Sequence, residues 1–171
     1  MAAETVCAYE IARRGQWSGP AETVTLSYDD RFLRRKRLTS DDGTVFRVDL
    51  PEVTNLEAGD ALILTDGRKI AIAAADEALL QVTGPGLTRL AWHIGNRHTP
   101  CQIAEDCLLI RHDHVLADML AGLGATLMPV TAPFTPEGGA YGHGRTMGHS
   151  HGPEDHDQDH DHGDHHDHSH A

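Results

Sequence analysis

From Tyr141 to Ala171 the chain carries one strongly apolar side chain, Met147, among ten histidines and seven acidic residues. Burial cannot offset the entropy of ordering such a stretch, so any packed core is confined to what precedes it. The composition predicts a flexible, disordered tail over residues 137–171. The one arginine and seven acids of residues 141–171 give that stretch a charge of −6, the same as residues 1–140 carry in more than four times the length. The segment leading into it, TAPFTPEGGA (131–140), has two prolines and two glycines and reads as a hinge.

Charge and hydropathy exclude several classes of function. No apolar run approaches the ~20 residues needed to cross a bilayer, and the start, MAAETVCAYEIARR, is polar where a secretory signal would be greasy. A soluble chain is expected, with no membrane partner. The formal net charge of −12 has the wrong sign for neutralising phosphates over a long contact, which argues against nucleic acid. Cys7, Cys101 and Cys107 are odd in number and form no C-x-x-C, so a reducing cytoplasmic setting is the simplest. The sequence lacks H-E-x-x-H, G-x-S-x-G, G-x-x-x-x-G-K-[ST] and G-x-G-x-x-G, the signatures of four large enzyme classes.

The pattern predicts an α+β chain. Residues 1–76 carry β signals: Val24, Leu26 and Tyr28 alternate with polar neighbours, and Asp42-Gly43 and Asp66-Gly67 each separate two short strands in the manner of tight hairpins. A small all-β domain, suited to protein docking, is expected there. Within it, Arg34-Arg35-Lys36-Arg37 reads as a charged edge strand or a patch for an acidic partner. Over residues 77–136 the rhythm becomes strand, helix, strand, strand, helix, strand. Leu87, Leu90, Ala91 and Ile94 recur at helical spacing with Gly95-Asn96 to close that helix. Asp113 can cap a second helix with the stripe Leu116, Met119, Leu120 and Leu123, ended by Gly122 or Gly124. The order βαββαβ is that of a ferredoxin-like metal domain with two helices on one face of a four-stranded sheet.

Histidine is the candidate chemistry. Neutral imidazole suits nickel, zinc and copper, and the tail offers His143, His149, His151, His156, His160, His162, His165, His166, His168 and His170. Such a peptide can hold several divalent ions, with affinity falling as pH drops through about 6.5, where imidazole takes up a proton. In the folded part, His93 and His98 are about 140° apart around a helix and do not share its face, so His93 reads as a structural helix residue. His98 lies past the helix end, ahead of Pro100. His112 and His114 are two apart at a strand end, so an extended backbone would point both the same way. By spacing alone, His98, His112 and His114 are as well read as ordinary surface histidines as ligands.

The run His93-Ile94-Gly95-Asn96-Arg97-His98-Thr99-Pro100, followed by His112-Asp113-His114-Val115-Leu116 and then Met119-Leu120, resembles the urease accessory protein UreE family. The resemblance spans nearly the whole chain. It implies no catalysis but a cytoplasmic metallochaperone that delivers nickel, Ni(II), to apo-urease, working with the other urease accessory proteins including the GTPase. His98 would then be the central ligand, shared between two copies of a homodimer, with His112 and His114 as a peripheral site and the tail as added capacity. Zinc or copper would also bind in vitro. Cys101 stands where the family has an aliphatic residue. A thiol there reads either as a small buried side chain or as a soft donor beside His98. Two further readings remain: a nickel or zinc storage protein whose tail is the main functional element, and a metal-dependent hydrolase using His112, His114 and Asp113.

Overall fold

The computed structural model describes residues 6–139, and the tail histidines His143 to His170 lie outside the described residues. Strands β1 (Cys7–Ala12), β2 (Glu22–Leu26), β3 (Phe32–Thr39), β4 (Val45–Asn55), β5 (Ala61–Leu64) and β6 (Lys69–Ala74) form one sheet in the order β2-β6-β5-β1-β4-β3. Both Asp-Gly pairs make the expected turns, joining β3 to β4 and β5 to β6 as antiparallel neighbours. Gly43 and Gly67 sit at φ +93° and +88°, where a Cβ would be strained. Alternation along β4 buries Phe46, Val48 and Leu50 and exposes Val45 and Arg47, so the apolar set faces one core with Val24, Leu62 and Ile70. β3 ends the sheet, which makes the Arg34–Arg37 run a charged edge strand. β1 pairs parallel with β4 and antiparallel with β5.

The second sheet holds β7 (Asp76–Thr83), β8 (Gln102–Ile103), β9 (Leu108–Arg111) and β10 (Thr126–Pro133) in the order β10-β7-β9-β8, antiparallel throughout. Helix α1 (Leu87–Gly95) connects β7 to β8, and α2 (His114–Gly122) connects β9 to β10. Leu90 and Ile94 of α1 and Leu116 and Leu120 of α2 pack with Leu80, Val82, Leu108 and Ile110, so both helices cover the same face. Each such side chain contributes about 1.5–3 kcal/mol on burial. Asp113, extended at φ −143°, accepts the Leu116 N–H at 2.8 Å and starts α2 as expected. Gly124 at φ +89° ends it, with the Ala125 N–H donating back to the Leu120 carbonyl at 3.0 Å.

One local expectation is refined and one is corrected. Helix α1 does close at Gly95 with Asn96 as its cap, but Asn96 stays right-handed and donates to the Trp92 carbonyl at 2.9 Å. Tight turns then continue, with Arg97 donating to Ile94 and His98 to Gly95, and the left-handed residue is His98 at φ +55°. The hinge expected over 131–140 is largely anchored. β10 runs through Pro133, Phe134 is fully buried, and the Glu137 N–H donates to the Cys101 carbonyl at 2.9 Å. Its prolines and glycines suggested freedom, but one buried aromatic outweighs them. Phe134 packs with Leu79 and edge-on against Tyr28, on the face of the second sheet away from the helices. Buried Arg31 bridges the same place, donating to the carbonyls of Leu26 and Phe134.

Candidate metal-binding surface

His98 is placed by the way α1 ends. After Gly95 the chain winds through Asn96 and Arg97 in short-range hydrogen bonds and delivers His98 in the left-handed region, exposed to solvent. Non-glycine residues visit that region at a cost, and such outliers gather at functional sites. Arg97, beside it, donates from Nε to the Met119 sulfur at 3.2 Å and so ties this turn to α2. His93 is half-buried one helical turn earlier, its ring edge-on to Trp92 at 5.0 Å, in keeping with a structural role.

Cys101 belongs to the hydrophobic cluster beneath the helices. Burial, with Glu137 nearby, pushes its thiol up to about 11, so at neutral pH it keeps its proton. Its packing in that cluster fits the reading of a small core side chain. His112 and His114 flank Asp113 at the junction of β9 and α2, and all three are exposed. Asp113 is extended, which meets the condition under which side chains two apart share a side. Its carboxylate serves the helix as a cap. His114 is the first residue of α2, where the helix dipole opposes a cation by up to roughly 1 kcal/mol, so an ion there depends on direct ligand bonds.

Among the described residues, no three His, Cys, Asp or Glu side chains gather closely enough to hold one ion. His98, His112 and His114 therefore do not converge on one point within a single chain. Sequence reasoning passed over Trp92, which is 64% exposed on α1. The signal was present: Trp92 falls outside the Leu87, Leu90, Ala91, Ile94 stripe that faces the sheet. The role of Arg97 is not legible in the sequence, because its thioether partner is 22 residues away.

The model of the UreE urease accessory protein N-terminal domain matches residues 8–75, and that of the C-terminal domain matches residues 77–170. A urease accessory protein UreE from Ruegeria pomeroyi is 66% identical over 142 residues, covering 83% of this chain and 95% of the relative. UreE proteins from Cereibacter sphaeroides and Rhodobacter capsulatus are each 60% identical, covering 85% of this chain and 80% and 93% of those relatives. This is a family of accessory chaperones, not enzymes. The chain belongs to the UreE urease accessory protein family.

Proposed function

We propose that this protein is a nickel metallochaperone that hands Ni(II) to apo-urease as the urease metallocentre is assembled. Family membership supports a role in urease maturation. The observation that carries the metal reading is His98, an exposed imidazole held in a left-handed backbone at the end of α1. One imidazole per chain cannot grip a divalent ion, whereas a two-fold axis through the metal doubles the donors and makes binding depend on dimer formation. Such an open site, completed by water, binds loosely enough to release its cargo. His112 and His114 form the peripheral site, and the tail histidines, His143 to His170, raise capacity. Zinc and copper compete in vitro, since nitrogen donors rank copper above nickel.

In this reading residues 1–76 dock partner proteins, residues 77–136 form the ferredoxin-like metal domain, and residues 137–171 are the metal-loading tail. The antiparallel order β10-β7-β9-β8 with both helices on one face supports the middle assignment. The partners are a second copy of the chain, apo-urease and the other accessory proteins including the GTPase, in the cytoplasm. No helix among the described residues is long and apolar enough to cross a membrane.

Equilibrium dialysis against nickel tests the site. Truncation before Gly142 lowers the number of ions bound but leaves one tight ion per dimer, and His98→Ala removes that ion. A tight ion that survives His98→Ala overturns the assignment. If the truncated chain no longer activates urease in a mixture with the other accessory factors, the tail, and hence storage, is the main function.

A further inference from the structure

We propose that the outer face of the six-stranded sheet, at its β3 edge, is a docking surface for the chain's own acidic tail, residues 141–171. The tail is held there in the metal-free protein and released as ions fill it. The surface is set by strand register. Arg35 lies directly across from Asp49, and Arg37 directly across from Arg47, so these four side chains project from one face. Cys7 pairs with Arg47 on the neighbouring β1, and exposed Tyr9 lies two residues further along that strand on the same side.

One carboxylate serves this cluster. Asp49 accepts from Arg35 Nε at 2.5 Å and Arg47 Nη2 at 2.8 Å, while Arg37 has no ion pair among the described residues. Lys36, across from buried Val48, projects from the other face and pairs with Asp30, and Arg34 donates to the Leu50 carbonyl, so the outer cluster is the three arginines Arg35, Arg37 and Arg47. Like charges directly opposite one another disfavour a strand pair, so folding does not account for Arg37 facing Arg47. An anionic occupant does.

The tail fits by charge and by tether. It carries −6, whereas the remainder of the chain is itself net negative and offers no comparable basic surface elsewhere along one strand. The described chain ends at Gly139 with 32 residues to follow. At ~3.3 Å per residue that length reaches about 100 Å, several times the ~14 Å radius of gyration expected for the folded part. Tethering makes the encounter intramolecular, at an effective concentration on the order of millimolar. Each divalent ion adds two positive charges, so about three ions cancel the tail's charge and with it the attraction. This release step rests on the proposed metal binding by the tail; docking does not.

The test compares amide NMR spectra of the full chain with a full-length variant in which Asp155, Asp157, Asp159, Asp161, Asp164 and Asp167 are all replaced by Asn. At low salt the amides of Arg35–Arg37 and Phe46–Val48 differ between the two. The difference collapses in about 0.5 M NaCl, where charges are screened within a few ångströms. It also disappears in Arg37→Glu, which turns the like-charge pair with Arg47 into an opposite-charge pair and so keeps the sheet. Diamagnetic zinc, at three or more equivalents, moves the wild-type shifts toward those of the Asn variant. Superimposable spectra at low salt overturn the proposal. If poly-aspartate added in trans then moves the same amides, the occupant is an acidic partner protein; if they move with protein concentration, it is a second copy. Docking that persists with zinc bound, as counted by dialysis, overturns release alone, and a tail that binds no zinc overturns the metal reading instead.

Discussion

His98 combines a backbone strain with a chemical task. In the left-handed region, at φ +55°, a residue with a Cβ is disfavoured by about 1–2 kcal/mol, and a β-branched one by more. His98→Gly therefore remains within about 1 kcal/mol of the wild type in urea unfolding and is at least ~1 kcal/mol more stable than His98→Val. Equal stability of the two variants would show that the turn relaxes and that the strain is not held by its surroundings. Cys101, three residues on, behaves in the opposite way: half-buried and protonated, it is chemically quiet. With its thiol pushed up to about 11, its thiolate is scarce at pH 8. Iodoacetamide should modify it about a hundredfold more slowly than an unperturbed thiol, read by mass spectrometry of the labelled peptide.

At the scale of elements, buried Asp60 explains how a hairpin and a separate strand become one sheet. Its carboxylate accepts from Arg13 Nη1 at 2.7 Å, the Arg14 N–H at 3.0 Å and the Glu57 N–H at 2.9 Å. The end of β1 is thereby fastened to the loop between β4 and β5, and Arg13 also reaches the Asn55 carbonyl at the end of β4. Asp60→Ala strands buried donors and half a salt bridge, so it should cost roughly 3 kcal/mol, measured by chemical denaturation. A cost below ~1 kcal/mol would mean that water replaces the carboxylate and that β1 is held by its ladder alone.

The whole molecule depends on a junction between the two sheets. Phe134 and Tyr28 meet edge-on at 5.4 Å, buried Arg31 bonds the carbonyls of Leu26 and Phe134, and Arg111 pairs with Asp29 at 2.8 Å. Phe134→Ala should lower the unfolding free energy by about 3–5 kcal/mol and free the segment that leads into the tail. Stability also has a defined pH window. The Ser40 hydroxyl, Lys36, Arg35 and the Arg68 N–H hold Glu22, Asp30, Asp49 and Asp66 respectively below the ordinary carboxylate range. Depressed carboxylates stabilise the fold above their unfolded values near 4, and that contribution is lost as pH falls through the lower folded values. Cys101 works at the other end, where its stabilisation is present below the ordinary thiol value and lost as pH rises toward about 11. Denaturation midpoints measured across pH should therefore plateau between about 5 and 8 and decline on both sides.

What the sequence determined by itself was local. Periodicity marked the buried stripes of α1 and α2, Asp42-Gly43 and Asp66-Gly67 placed two turns, Asp113 announced a cap, and the order of elements from β7 to β10 followed from their alternating rhythm. These features arise from contacts within a few residues, which a linear pattern records. Tertiary structure alone decided the insertion of β1 between β5 and β4, the parallel pairing of β2 with β6, and the burial of Phe134 in a stretch rich in proline and glycine. It also put a left-handed residue after α1, at His98. Strands with tens of residues between them find partners by which arrangement buries the most apolar surface, and no spacing along the chain encodes that competition.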